Sequence, residues 1–137
     1  MNLIALLASI CLVGFSGKDV STVDLIDLSG EWNISGVTSY GNLNYNVDLD
    51  EYGNSLDFTE VSSYGSRTSR KVTYYSNNGS SITIKIKGDD GMGRYTTTFK
   101  LNVSDSDLLK GTVKTKVEGI YGLSGFSYSG RISFKRL

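Results

Sequence analysis

The sequence predicts an all-β protein, folded as one eight-stranded antiparallel up-and-down β-barrel. Two features predict strands: segments of alternating apolar and polar residues recur along the chain, and short Gly- or Asn-rich turns separate them. The composition agrees, because the chain has nine tyrosines and sixteen glycines but no proline. With 137 residues, the protein has the length of a single domain.

Each predicted strand follows from its alternation and from the turn that ends it. Turns such as "SNNGS" and "GDDGMG" have the Asn-Gly and Asp-Gly chemistry of β-hairpins. Consecutive strands are therefore antiparallel. After the polar lead "KDVSTVDLIDL", the predicted strands cover residues 30–38, 43–51, 55–62, 69–76, 81–87, 94–103, 108–118 and 125–137.

The alternation divides the strands into an apolar face and a charged face. The apolar face includes Trp32, Tyr45, Phe58, Ile84, Phe99, Val113 and Phe134, and the charged face includes Asp48, Lys85, Lys100, Lys114 and Arg131. A one-sided sheet without covering helices must close on itself, and an eight-stranded barrel does so. An outer-membrane barrel would place the outward lysines in lipid, at about 2–4 kcal/mol each, so we expect no membrane span.

The composition narrows the possible functions. Fourteen basic and fourteen acidic side chains cancel, so no global field favours nucleic acid, and partners must be recognised locally. Histidine is absent and Cys11 is the sole cysteine, which excludes disulfides, His/Cys zinc sites and His-based catalysis. No pair of carboxylates stands out as an acid/base couple. We therefore expect neither an enzyme nor a bound metal or cofactor.

The first seventeen residues, "MNLIALLASICLVGFSG", are predicted to be a signal peptide, followed by the barrel domain at 18–137. Gly14 and Ser16 fit the −3 and −1 positions for cleavage before Gly17. Anchoring as a lipoprotein through Cys11 is disfavoured, because Ile10 stands where a small residue is needed. The expected localisation is secreted or periplasmic.

The single tryptophan lies at the start of the first predicted strand, in Gly30-Glu31-Trp32. In an eight-stranded barrel the last strand returns to this end and pairs with the first. Arg136 is inward by parity and nearly terminal, so its guanidinium is predicted to lie across the indole of Trp32. Gly30, Trp32 and Arg136 are thus predicted to form a structural plug at this end.

Gly-x-Trp on the first strand and a basic residue on the last resemble the lipocalins and their calycin relatives, which include the avidins. The resemblance covers the layout of residues 28–137 and implies a lipocalin/avidin-like barrel. It also implies that "STVDLIDL" makes a helical turn over the closed end. In such barrels the opposite end is the open mouth.

Candidate ligand-binding residues cluster at the predicted mouth. Tyr40, Tyr64 and Tyr121 lie on its loops, and inward positions nearby add aromatic rings and two charged groups: Glu60, Arg70, Tyr74, Tyr95, Phe126 and Tyr128. Glu60 and Arg70 have three interpretations: a site for the polar head of a ligand, a structural ion pair, or exposure through a bulge near Val61.

Two functions fit this barrel. The first is binding of a small apolar or amphipathic molecule at the mouth, which small inward residues favour because they leave space: Gly36, Thr97, Gly111, Thr115 and Gly130. The second is a protein-binding module, such as a hydrolase or protease inhibitor, that uses the mouth loops or the N-terminal segment. Aromatic rings that fill the lumen would favour the second.

Overall fold

The computed structural model describes residues 25–89, 93–119 and 125–137, and it is a closed β-barrel. Each strand pairs antiparallel with the next, and the last pairs with the first. The predicted fold class is confirmed. The strands are β1 Gly30–Thr38, β2 Gly41–Tyr52, β3 Ser55–Val61, β4 Arg67–Asn77, β5 Ser81–Asp89, β6 Arg94–Asp105, β7 Leu108–Val117 and β8 Phe126–Arg136.

The predicted signal peptide and Cys11 lie outside the described residues. In the described ranges there is no helix that is long and apolar enough to cross a membrane.

The core consists of apolar side chains from the inward face of the strands. Phe58 and Phe99 stack with ring centroids 5.8 Å apart, and Phe99 meets the edge of Phe134 at 5.2 Å. Around these rings pack aliphatic side chains that are buried in the same cluster: Leu28, Ile34, Val47, Leu49, Leu56, Ile82, Ile84, Ile86, Leu101, Leu109, Val113 and Ile132. Because the closed sheet has no free edge, this single core stabilises every strand.

A β-bulge in β4 changes which tyrosine enters the barrel. The register with β5 shifts between Val72 and Tyr74, so Tyr74 pairs with the outward Lys85. Tyr74 is 53% exposed, and Tyr75 packs against the core instead. The prediction that Tyr74 points inward is therefore wrong, because one extra residue in a strand reverses the parity of all that follow.

Three glycines mark close contacts between neighbouring strands. A Cβ on Gly130 would lie 2.1 Å from the carbonyl oxygen of Val37, and one on Gly111 would lie 1.9 Å from that of Lys100. Gly36 meets the backbone of Arg131 in the same way. These positions allow the strands to coil tightly enough to close the barrel.

Replacing Gly130 with alanine should destabilise the fold by about 1–3 kcal/mol, because the added methyl group meets the backbone of β1. Urea unfolding followed by Trp32 fluorescence would measure the change. Ser127→Ala, at an exposed position of β8, is the control and should leave the midpoint nearly unchanged. Equal midpoints for the two variants would contradict this role of Gly130.

Candidate functional site

The end of the barrel where β1 starts is closed by the predicted plug residues. Trp32 is fully buried, and its indole Nε1 donates a hydrogen bond of 2.8 Å to the carbonyl oxygen of Leu28. The guanidinium carbon of Arg136 lies 4.3 Å from the Trp32 ring centroid, the contact that strand parity predicts. This geometry combines a cation–π contact with burial of the indole.

Arg136 also links β8 by hydrogen bonds to the lead segment at residues 27–29 and to the β6–β7 turn at residues 106–107. Its Nη1 donates to the carbonyl of Ser29 at 2.9 Å, and its Nη2 donates to the carbonyls of Asp27 at 2.8 Å and Ser106 at 3.0 Å. Its Nε donates to the Asp107 carboxylate at 3.0 Å. A planar guanidinium can make all these bonds at once, whereas a lysine cannot.

The first residue of the Gly-x-Trp motif must be glycine for a different structural reason. Gly30 has φ 123°, a backbone conformation that other residues rarely adopt, and a Cβ there would lie 3.3 Å from Nη1 of Arg136. Gly30 thus lets the lead segment turn into β1 beneath the guanidinium.

A second set of contacts at this end was not predicted from the sequence. The Glu51 carboxylate accepts hydrogen bonds from the backbone N–H of Leu28 at 3.1 Å and from the Tyr75 hydroxyl. Asn77 donates to the carbonyl of Ile26 at 3.1 Å. Burial, followed by the hydrogen bond to Glu51, raises the pKa of Tyr75. These bonds hold residues 25–29 across the barrel end, and this part of the lead contains no helical turn.

Replacing Arg136 with alanine should destabilise the protein by about 2–3 kcal/mol, through loss of the cation–π contact and the hydrogen bonds. Arg136→Lys keeps the charge but not the planar fork, so it should recover only part of this loss. Urea denaturation gives the free energies. Full stability of the lysine variant would show that charge alone suffices and would contradict the geometric account.

The opposite end contains a cavity of about 290 Å³ that opens at the mouth. Among the predicted ligand-binding residues, Glu60, Tyr95 and Tyr128 line it. The other lining residues were not among those candidates: Leu43, Tyr45, Val61, Ser62, Ser66, Thr68, Ile86, Thr97, Val113 and Thr115. Strand alternation does predict that Tyr45, Thr97 and Thr115 point inward. Alternation alone, however, does not show whether an inward side chain lines a cavity or packs in a filled core.

Three aromatic rings form a cluster on the rim of the mouth. The Tyr40 centroid lies 5.2 Å from those of both Phe126 and Tyr128. Tyr40 is 67% exposed and Phe126 is 45% exposed. Tyr64 is 96% exposed on the β3–β4 loop, and Tyr121 lies outside the described residues.

Glu60 and Arg70 form an ion pair inside the barrel. Nη2 of Arg70 donates to Oε1 of Glu60 at 2.9 Å, and both side chains are partly buried. Arg70 pairs in the sheet with Phe58 and Glu60 with Thr68, so the two side chains meet diagonally. The guanidinium also lies over Tyr95, 5.6 Å from its ring centroid. The alternative in which a bulge near Val61 turns Glu60 outward is therefore wrong.

The remaining polar groups of the cavity are hydroxyls. Burial, and next the charge of Glu60, raise the pKa of Tyr45, so its phenol stays protonated at alkaline as well as neutral pH. The Thr97 and Thr115 hydroxyls are buried and 2.8 Å apart. One hydroxyl donates its proton in this hydrogen bond, and the other hydroxyl can donate its own proton to a different acceptor.

The described residues contain no group of three or more acidic, histidine or cysteine side chains placed to hold a metal ion. The cavity offers an apolar wall, several hydroxyl groups and the Glu60 carboxylate, which is neutralised by Arg70. Such a lining suits a small molecule with an apolar body and neutral polar groups.

No protein-family model matches the chain, and no curated protein matches it. The solved structure of EF1p2_mFAP2b bound to DFHBI is similar, with a TM-score of 0.54 over 80% of this chain and 94% of that chain. The two sequences are 12% identical, so the likeness concerns the fold alone.

Proposed function

We propose that this protein is a non-enzymatic, lipocalin-like barrel that binds a small apolar or amphipathic molecule at its mouth. The observation that carries the proposal is the difference between the two ends of one lumen. Phenylalanine rings and the Trp32–Arg136 plug fill one end. The other end keeps a cavity of about 290 Å³, near the lower limit of ligand pockets in proteins.

The lining favours a neutral ligand. A carboxylate would compete with Glu60 for Arg70, and breaking a partly buried ion pair is costly. An uncharged molecule leaves that pair intact and accepts hydrogen bonds from Tyr45 or the threonine hydroxyls. Its apolar body would contact Leu43, Ile86 and Val113.

Two further considerations support the proposal. EF1p2_mFAP2b, whose fold is similar, was solved bound to DFHBI. The apolar N-terminal run at residues 1–17 is typical of a signal peptide. We therefore place the site of action outside the cytoplasm, in the medium or the periplasm.

Filling the cavity should weaken binding without unfolding the barrel. Thr115 is buried in the cavity wall, so Thr115→Leu should weaken the affinity for N-phenyl-1-naphthylamine, a neutral apolar probe, by about tenfold or more. Fluorescence titration measures the affinity, and circular dichroism verifies the fold.

The matched control is Thr112→Leu, the same substitution at an exposed position of the same strand. It should bind the probe as the unmodified protein does. Equal affinity in the Thr115 and Thr112 variants would place the binding site elsewhere, and no binding by the unmodified protein would contradict the proposal.

A second candidate function is contact with another protein through the mouth. The rim cluster favours it, because Tyr40 and Phe126 are exposed beside Tyr128 and aromatic residues are enriched at the centres of protein interfaces. Tyr40→Ser would separate the two functions. A protein partner would be lost, whereas the probe should still bind, since Tyr40 does not line the cavity.

A further inference from the structure

Although the net charge is zero, the acidic and basic residues are unevenly distributed along the sequence. From Leu25 to Val61 the sequence contains no lysine or arginine. This segment forms β1, β2 and β3 and carries the acidic residues Asp27, Glu31, Asp48, Asp50, Glu51, Asp57 and Glu60. Because strands that follow one another in sequence are neighbours in the barrel, the acidic residues gather on one side of the wall.

Most of the outer face of β5 to β8 has the opposite character, and its acidic residues, Asp89 and Asp105, lie at the ends of β5 and β6. Register pairs place its residues in four rows that run across the strands, and we call this surface the basic wall. The rows are Lys87–Thr96–Lys116–Ser127, Lys85–Thr98–Lys114–Ser129, Thr83–Lys100–Thr112–Arg131 and Ser81–Asn102–Lys110–Ser133. All of these positions lie in the described part of the chain, and none of them is acidic.

Cations and hydroxyls alternate on the basic wall. In one central row, Lys85 and Lys114 are separated by Thr98, and in the next row Lys100 and Arg131 are separated by Thr112. Neighbouring strands lie about 4.8 Å apart, so the cations of a row are about 10 Å apart. Such a lattice presents positive charge at regular intervals, with a hydrogen-bonding hydroxyl between the charges.

No cation of the basic wall forms an ion pair with another described residue. The ion pairs among the described residues are Arg67–Asp48, Arg70–Glu60, Arg94–Glu118 and Arg136–Asp107. None of them involves a residue of the basic wall. The lysines of the described residues lie on β4 to β8 and none lies on β1 to β3, and this separation of charge gives the basic wall a positive field that attracts anions.

The outer surface is also indented where the strands coil at glycines. One depression is lined by Lys85, Thr98, Lys100, Thr112, Lys114 and Ser129, next to Gly130. Another is lined by Lys110, Thr112, Arg131 and Ser133, next to Gly36 and Gly111. The two depressions share Thr112, and cations flank both of them.

We propose that the basic wall binds a linear anionic polysaccharide, with its sulfate or carboxylate groups on the lysines and its hydroxyl groups on the Ser and Thr side chains. A flexible chain can follow the convex wall of a barrel, whereas a flat bilayer touches it only along a line. The basic wall has no aromatic side chain on which a nucleobase would stack. This proposal is independent of the mouth cavity, which lies on the inner face.

Heparin and polygalacturonate, a sulfated and a carboxylated polysaccharide, are suitable probes. Binding is measured by isothermal titration at several salt concentrations, with the unmodified protein and two double variants. Lys100→Gln with Lys114→Gln removes two central cations of the basic wall. Asn42→Asp with Ser55→Asp lowers the net charge by the same amount on exposed positions of the acidic side.

The lysine variant should lose affinity on the order of tenfold. The slope of log K against log salt should become shallower by about two, because two charge contacts are removed. The aspartate variant should bind nearly as the unmodified protein does. A preference for heparin over polygalacturonate, or the reverse, identifies sulfate or carboxylate as the recognised group.

Three results would overturn the proposal. One is failure of both polysaccharides to bind the unmodified protein at low salt. Another is an equal loss of affinity in the two variants, which would indicate an effect of net charge. The third is tighter binding to single-stranded DNA or to anionic phospholipid vesicles than to either polysaccharide, which would assign the basic wall to a different partner.

Discussion

The pairing of β1 with β8 is the constraint on which the rest of the structure depends. It runs from Trp32 opposite Arg136 to Thr38 opposite Gly130, and it converts a one-sided sheet into a closed barrel. Without it, two strand edges and the apolar face would meet water. Closure requires tight coiling, which the glycines at 36 and 130 permit because no Cβ separates their strands from the neighbouring backbone. It also brings the last arginine onto the first strand's tryptophan.

Closure gives the lumen two chemically different ends. At one end, the Arg136 guanidinium and the Glu51 carboxylate hold the lead segment over the core. At the other end, the Glu60 carboxylate, which is paired with Arg70, and the phenol of Tyr45 line the cavity. The charged groups at the closed end are hydrogen-bonded to backbone and side-chain partners, whereas the Thr97–Thr115 pair at the mouth retains a donor for a ligand. The same strands thus provide stability at one end and a binding site at the other.

Alternation of side chains was enough to predict the eight strands, their closure and the contact between Trp32 and Arg136, since each depends only on parity and topology. The inward place of Tyr74 was mispredicted because a bulge leaves no clear mark in local sequence. The role of Glu51 was missed because its partners, Leu28 and Tyr75, are distant in sequence. The basic wall was overlooked because net charge averages over both sides of a barrel, and only the register shows which charges are neighbours.

A native mass spectrum of the protein, purified from its own host without detergent, tests the central claim most directly. The account predicts a chain that lacks the signal peptide and retains an adduct of small-molecule mass, which is lost when the cavity is blocked by Thr115→Leu. A bare chain whose mass includes residues 1–16 would contradict both the mouth site and the assignment outside the cytoplasm. Co-purification of a second polypeptide in place of the adduct would identify the mouth as a protein-contact surface.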